Sequence, residues 1–144
     1  MHVLPLLVLV LSLALPIGQG WGQQTRFSGE VVTVIDGDTL DLADGRRIRL
    51  MGVSAPERDE PGGAEATAAL RALAERRQIT CIDSGERSHR RVVARCFSGE
   101  EDLARRLVQI GLARDCPRHS GGLYAADETA ASRRLPLPGY CRTR

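Results

Sequence analysis

The chain has 144 residues, of which 26% are charged and 3% aromatic, and its formal net charge is only +2. This length suits one domain with one hydrophobic core and excludes a two-domain organisation. All 20 basic residues are arginine because lysine is absent. Arginine is the better residue for bidentate phosphate recognition, but so small a net charge does not by itself indicate a nucleic-acid partner.

The N-terminus predicts export. Residues 3–17 form an apolar, uncharged run, and no charged side chain precedes Arg26. The run is shorter than the roughly 18 apolar residues that span a membrane, and it suits the core of a secretory signal. We therefore expect a signal peptide over residues 1–20, cleaved after Gly20, and a periplasmic or secreted protein. The alternative is an uncleaved anchor that holds the domain at the outer face of the membrane. Residues 21–28 then form a short linker.

Three strands are predicted next. Residues 31–35 form a β-branched run that is typical of a well-buried strand. Residues 40–42 and 48–50 alternate apolar and polar side chains, and Asp44–Gly45 between them predicts a hairpin turn. Because side chains alternate between the faces of a strand, Arg49 should point away from the core and be available to a ligand.

A helix and two further strands follow. Residues 64–77 are alanine-rich, and Ala66, Ala69, Leu70 and Leu73 make one apolar stripe at helical spacing. Residues 79–82 and 92–97 have the composition of strands. The charged segment 83–91 between them predicts a mobile hairpin loop.

The last third of the chain predicts helices and a tail. Asp102 is an N-cap residue by type, and Gly111 is a C-terminal stop for a second helix. Residues 125–134 predict a short third helix, and residues 135–144, with two prolines, predict an extended tail. Three strands, a helix, two strands and then helices predict a five-stranded β-barrel with packed helices, an α+β fold. We place this domain at residues 29–134.

Four cysteines occur in a chain with an export signal, so two disulfides are expected. They are Cys81, Cys96, Cys116 and Cys141. Zinc ligation is the rival interpretation, but no two cysteines have C-x-x-C spacing. Of the three connectivities, we favour Cys81–Cys96, which joins two successive strand-like segments, and Cys116–Cys141, which fastens the tail to the domain.

Four short motifs stand in a specific order. They are V-I-D-G-D-T at Val34–Thr39, R-L-x-G-V-x-A-P-E at Arg49–Glu57, an arginine at the start of a strand at Arg91, and G-L-A at Gly111–Ala113. Their order and spacing resemble the thermonuclease, or staphylococcal nuclease, family over roughly residues 29–113. The resemblance implies an OB-fold barrel, a calcium cofactor, and hydrolysis of DNA or RNA to products with 3′-phosphates.

The residue types in these motifs suit phosphodiester hydrolysis, which needs a cation, a directed water and donors where negative charge develops. Asp38 is the expected direct metal ligand, because carboxylate oxygen suits calcium and a strand junction can expose it, and Asp36 is its support. Glu57 would orient or deprotonate the water. Arg49 and Arg91 would grip the phosphate in forked hydrogen bonds. The alternative is that Asp36–Asp38 is only a turn and that Glu57 and Arg91 are solvated loop charges.

The chain departs from the pattern of the family that it resembles. Ser54 stands where the family has a second calcium-binding aspartate, so calcium should bind more weakly. The family's neighbouring ligand is a backbone carbonyl, which Ala55 can supply. In the region where the family has its nucleotide-binding tyrosines, this chain has His89, Pro117 and His119. This difference predicts an altered substrate affinity or preference.

Three functional hypotheses follow. The first is an exported, calcium-dependent nuclease, an endonuclease by its resemblance, that acts on DNA or RNA as a monomer without a stable protein partner. The second is a catalytically weak or inactive OB-fold module that binds nucleic acid or another anionic ligand, and the third is a disulfide-stapled structural domain. The catalytic residue types favour the enzyme. Asp59 and Glu60 are close enough in sequence to Ser54 to replace the missing carboxylate, which is a separate hypothesis.

Overall fold

The computed structural model describes residues 24–144, so the predicted signal peptide and the first residues of the predicted linker lie outside the described residues. The strands are β1 (Arg26–Asp36), β2 (Thr39–Leu42), β3 (Arg47–Leu50), β4 (Val53–Ser54), β5 (Gln78–Ser88), β6 (Arg91–Ser98), β7 (Glu101–Asp102) and β8 (Arg114–Asp115). The α-helices are α1 (Gly63–Ala74), α2 (Leu103–Gln109), α3 (Pro117–Ser120) and α4 (Ala130–Arg134). Short 3-10 helices cover Ala125–Asp127 and Gly139–Cys141. Within residues 24–144, no helix is long and apolar enough to cross a membrane.

Five strands form a closed barrel. β1 pairs with β2 and β5, β2 pairs with β3, and β5 pairs with β6, all antiparallel. The barrel closes where β3 and β6 run parallel, with Ile48 opposite Val92 and Leu50 opposite Ala94. β4 and β8 form a separate two-stranded sheet. The predicted five-stranded OB-fold barrel with packed helices is therefore confirmed.

The core fills the barrel with side chains that the alternating pattern predicted. Those of β2 and β3 are at most 1% exposed: Leu40, Leu42, Ile48 and Leu50. β1 differs from its prediction as a well-buried strand, because Val31 and Val34 are buried whereas Val32 is 46% exposed. β1 is also longer than predicted, and it begins at Arg26, three residues before the predicted start of the domain.

The predicted loop over residues 83–91 is wrong. β5 continues to Ser88, with a register irregularity between Asp83 and Arg87, and only His89 and Arg90 form the turn to β6. Both turn residues have positive φ, 49° and 67°. The strand persists despite its polar composition because its backbone pairs with β6 and because an Asp83–Arg87 ion pair spans the irregularity. Composition alone does not detect such a strand.

The two main helices pack on the barrel as predicted, with shorter bounds. α1 ends at Ala74 because the chain turns to bind β1 at Val31, whose N–H donates to Arg77 O at 3.0 Å. Asp102 caps α2 by accepting a hydrogen bond from Arg105 N at 3.2 Å, which confirms the predicted N-cap. Gly111 follows α2 with φ of 81°, as expected for the C-terminal stop.

The C-terminal region is more broken than predicted. The expected helix over residues 125–134 is a 3-10 turn followed by α4, which starts at a Thr129 capping box. α3 was not predicted. Both favoured disulfides, Cys81–Cys96 and Cys116–Cys141, are confirmed. The first bridges β5 and β6 at directly paired positions, and the second ties the tail to the start of α3.

Candidate active site

The turn between β1 and β2 positions two aspartates. Asp36 Oδ1 accepts a hydrogen bond from Asp38 N at 3.0 Å, which fixes the turn. Between them lies Gly37, where a Cβ atom would be 2.6 Å from Ala66 Cβ and 2.7 Å from Ala55 Cβ. Only glycine allows the turn to approach α1 and the segment after β4 so closely. The turn therefore requires glycine at this position, which the D-G-D pattern alone does not indicate.

Asp38 is the centre of the site. Its Oδ1 accepts a hydrogen bond from Thr39 Oγ1 at 3.2 Å, and its Oδ2 accepts one from Ala55 N at 2.9 Å. Arg49 Nη1 lies 2.8 Å from the same Oδ2. Contrary to the expectation of an exposed ligand, Asp38 is only 7% exposed, because these three partners enclose it.

Burial raises the pKa of Asp38 from 3.8 to about 7 in the cation-free protein. The Arg49 guanidinium lowers that pKa and the neighbouring Asp36 carboxylate raises it, but loss of hydration is the larger cause. A carboxyl group that titrates near neutral pH is easily converted between a neutral form and an anionic ligand. Perturbed carboxyl groups of this kind cluster at functional sites.

Arg49 lies on the face of β3 opposite the buried Ile48 and Leu50, as the alternation predicted. Its side chain is only 12% exposed and is paired with Asp38. It also lines a cavity of about 210 Å³, which we call cavity A, together with Leu50, Val53, Arg87, His119 and Tyr140 among others. Arg49 thus lines cavity A and is paired with Asp38.

Arg91 starts β6 and is held firmly by its neighbours. Its Nε donates to Ser88 O at 3.0 Å, its Nη2 contacts Ser88 Oγ at 2.9 Å, and its Nη1 donates to Thr39 Oγ1 at 3.3 Å. Since the Thr39 hydroxyl also donates a hydrogen bond to Asp38, it connects Arg91 to the buried acid. The adjacent Arg90 is exposed in the turn, and its side chain makes no hydrogen bond or ion pair within residues 24–144. This difference supports Arg91 as the phosphate-binding arginine.

Glu57 is exposed just after Pro56, and its backbone N donates to Glu60 Oε2 at 2.9 Å. Within residues 24–144, its own carboxylate makes no hydrogen bond or ion pair. Glu57, Glu60 and Ser54 line a second cavity of about 370 Å³, which we call cavity B. Asp59 does not line cavity B, so of the two acids considered as replacements for the missing carboxylate, Glu60 is the better placed.

The donor set of this region limits how it can hold the calcium ion that the family resemblance implies. Calcium takes 6–8 oxygen ligands, mostly carboxylates and carbonyls. Within residues 24–144 there is no group of three or more His, Cys, Asp or Glu side chains that could hold a metal. Ser54 is buried and uncharged, Ala55 offers a carbonyl, and Asp38 is the one enclosed carboxylate of the cluster. These donors fit a weakly held, largely hydrated cation better than a tight calcium site.

Sequence reasoning missed three residues that the structure brings into the site. Thr39 and Ser88 position Arg91, and Tyr140 of the tail lies beside Ser54, with Tyr140 OH 3.4 Å from Ser54 Oγ. Thr39 was quoted only as the end of a motif. One feature of the sequence indicates the position of Tyr140, which directly precedes Cys141. Because Cys141 is bonded to Cys116, the disulfide determines where the tyrosine lies.

The closed five-stranded barrel with packed helices is an OB-fold domain. A model of the family described as staphylococcal nuclease homologue matches residues 47–137, and the chain belongs to this family. The matched segment contains Arg49, Glu57 and Arg91, whereas Asp36 and Asp38 precede it. No curated protein matches the chain.

Proposed function

We propose that this protein is an exported, cation-dependent nuclease that hydrolyses phosphodiester bonds in DNA or RNA. The observation that carries the proposal is the convergence of three elements on one buried acid. Asp38 contacts Arg49 of β3 and Ala55 after β4, and Thr39 links it to Arg91 of β6. An acid that is paired with one arginine and linked to a second through Thr39 provides both a cation ligand and phosphate donors.

The bound cation, held by Asp38 with Asp36 behind it and the Ala55 carbonyl beside it, would offset negative charge on the phosphate. Arg49 and Arg91 donate to phosphate oxygens, and these hydrogen bonds strengthen as charge develops on phosphorus. Glu57 orients a water molecule and accepts its proton. The new bond joins the water oxygen to phosphorus, and the bond from phosphorus to one ester oxygen breaks. That oxygen takes a proton from solvent and leaves as a hydroxyl, and Glu57 returns its proton to solvent.

Arg49 has to change partner in this scheme. Its Nη1 lies 2.8 Å from Asp38 Oδ2. Asp38 would hold the cation in place of the guanidinium, and Arg49 would then be free to donate to a substrate phosphate. Cation binding and phosphate binding should therefore support each other, which accords with a requirement for the cation in catalysis.

The proposal includes export. Residues 1–20 are proposed to be the signal peptide, residues 21–28 the linker, residues 29–134 the nuclease domain and residues 135–144 the tethered tail. Two disulfides within one domain accord with an oxidising compartment. Mass spectrometry of the periplasmic and secreted fractions tests this, since a mature chain that starts at Trp21 is expected. An intact chain in the membrane fraction would instead indicate an anchor.

The second candidate function is a nucleic-acid-binding module with little or no catalysis. Ser54 favours it, because this residue is buried and uncharged where a second carboxylate would strengthen a cation site. The two candidates differ in their dependence on Glu57, because a binding module has no use for a water-activating acid. Cleavage of DNA and RNA by Glu57→Gln and by Glu65→Gln, which changes an exposed glutamate of α1, separates them.

If the protein is a nuclease, Glu57→Gln should lower kcat by about 100-fold or more, since general acid–base groups contribute roughly 10²–10⁴-fold. Glu65→Gln should cleave like the wild type. Binding of a non-cleavable oligonucleotide should be the same for all three proteins. Equal cleavage by wild type and Glu57→Gln would contradict the proposed role of Glu57, and binding without any cleavage would favour the module.

A further inference from the structure

Tyr140 occupies an unusual position at the end of the chain. The tail is attached by the Cys116–Cys141 disulfide and by a hydrogen bond from Arg114 Nη1 to Leu135 O at 3.0 Å. Tyr140 precedes the bridged cysteine within the 3-10 helix Gly139–Cys141. The tail therefore places one aromatic ring at a defined point on the barrel.

That point lies between the two cavities of the site. Tyr140 lines cavity A together with Arg49, and it also lines cavity B together with Ser54 and Glu57. Its hydroxyl is 3.4 Å from Ser54 Oγ. A substrate whose phosphate is bound by Arg49 would thus have this ring next to its sugar or base.

The ring is exposed and has an aromatic neighbour. Tyr140 is 52% exposed, whereas Tyr124 is fully buried with its hydroxyl 3.2 Å from Asp102 Oδ2. The centroid of the Tyr140 ring lies 6.4 Å from that of His119, and the two planes are tilted by 53°. The same disulfide that fixes Tyr140 also fixes the start of α3, which carries His119. Tyr124 is a core residue by these criteria, and Tyr140 is not.

We infer that Tyr140, held in place by the Cys116–Cys141 disulfide, binds the nucleobase of the substrate by stacking in cavity A, with His119 at its side; the inference rests on the proposed function. Cavity A is lined by the apolar Leu50, Val53 and Val93 as well as by Arg49 and Arg87. Apolar lining, an aromatic ring and nearby guanidinium groups suit a planar heterocycle joined to a phosphate. At about 210 Å³ the cavity is below the size of drug-sized ligand sites, so it suits one base.

Binding of small phosphates tests this inference without any turnover. Calorimetry in the presence of calcium compares deoxyadenosine 5′-monophosphate with deoxyribose 5-phosphate, which differ only in the base. The wild type should prefer the nucleotide by about tenfold, because base–aromatic stacking typically has an effect of this size. Tyr140→Ala should abolish the preference, whereas Tyr140→Phe, which keeps the ring and loses only the hydroxyl, should retain it.

The disulfide provides the second arm. A Cys116→Ser/Cys141→Ser double variant should lose the preference as Tyr140→Ala does, because the tail is no longer fixed. A Cys81→Ser/Cys96→Ser double variant lacks the other bridge. Under conditions in which circular dichroism shows that this variant is folded, it should keep the preference. If the nuclease proposal holds, Tyr140→Ala should also raise KM for oligonucleotides by about tenfold with kcat within about twofold of the wild type.

Three results would overturn the inference: no preference for the nucleotide in the wild type, a preference that survives Tyr140→Ala, or one that survives loss of the Cys116–Cys141 bridge. Failure of the proposed function has a different signature, which is absence of cleavage by a wild type that still prefers the nucleotide. The two failures are therefore distinguishable.

Discussion

Arg49 Nη1 lies 2.8 Å from Asp38 Oδ2, so the arginine proposed to bind phosphate and the acid proposed to bind the cation are paired with each other. The pair is enclosed, with side-chain exposures of 12% and 10%. When Asp38 is ionised, each charge of this pair neutralises the other. Neither charge is then buried without a partner, which would cost stability. The pairing also makes the site sensitive to any ligand that competes for one partner.

The first prediction concerns pH. The pKa of Asp38 is raised from 3.8 to about 7, so the folded protein binds more protons than the unfolded chain between these values. The Asp38 contribution to the stability of the cation-free protein should therefore be greatest below pH 3.8 and decline as the pH rises to about 7. Because a cation requires the ionised acid, calcium affinity should rise with pH up to about 7 and level off above it.

Calorimetric titration with calcium between pH 5.5 and 8.5 measures this effect. The slope below the pKa should approach about tenfold in affinity per pH unit. Asp38→Asn, which cannot ionise, should bind calcium weakly at every pH. A wild-type affinity that is independent of pH across this range would contradict the raised pKa of Asp38, and an Asp38→Asn affinity equal to that of the wild type would show that Asp38 is not the ligand.

The second prediction concerns the missing carboxylate. Ser54→Asp adds a negative charge one residue before Ala55, whose N–H donates to Asp38. Calcium affinity should increase by about tenfold or more because the charge of the ligands sets the affinity of such sites. The new acid is buried, so the melting temperature of the variant should fall in chelator and recover in calcium. Calorimetry and thermal melts measure these effects.

Ser54→Asn is the matched control, because it has a similar size and no charge. It should not tighten calcium binding. Equal affinities for Ser54→Asp and Ser54→Asn, both in folded protein, would place the cation elsewhere.

The third prediction separates two adjacent arginines. Arg91→Gln should lower kcat/KM by about 100-fold, because it removes a donor held against the site by Ser88 and Thr39. Arg90→Gln, one residue earlier in the exposed turn, should change kcat/KM by less than about threefold, in line with a weak, screened contact. Steady-state cleavage of one oligonucleotide by both variants decides between them. A larger loss for Arg90→Gln would reverse the assignment.

The fourth prediction concerns stability. The Cys81–Cys96 bridge closes a loop with a sequence separation of 15 between paired positions of β5 and β6. Replacing both cysteines by alanine should lower the free energy of unfolding by roughly 3 kcal/mol, mainly because the unfolded chain becomes less constrained. Guanidinium denaturation measures the change. A loss below about 1 kcal/mol would show that the pairing of β5 with β6 is stable without the bridge.

Much of the fold follows from local patterns. The alternation in β2 and β3 predicted which side chains are buried, and the Asp102 and Gly111 caps predicted the ends of α2. The second half of β5 could not be predicted, because Asp83 to Ser88 are polar and their strand conformation comes from pairing with β6. Propensity describes a residue's own preference and contains no information about its partner strand.

The site was predictable as a set of residue types but not as a geometry. The sequence places Asp38 and Arg49 in separate motifs, and nothing in their spacing gives the ion pair between them or the resulting burial of the acid. No motif in the sequence indicates that Tyr140 is near the site, because a disulfide, rather than a strand or helix, brings it there. Contacts that depend on tertiary closure have to be read from the structure.

The Asp38 cluster is proposed to make this protein a cation-dependent nuclease. The most direct measurement is cleavage of single-stranded DNA, double-stranded DNA and RNA by the oxidised mature protein, with calcium titrated upward from chelator and Arg49→Ala measured alongside. We predict no cleavage in chelator, cleavage that rises with calcium at concentrations typical of weak sites, and a loss of about 100-fold or more in Arg49→Ala. Absence of cleavage of all three substrates with any divalent cation, in a folded and disulfide-bonded sample, would contradict the claim.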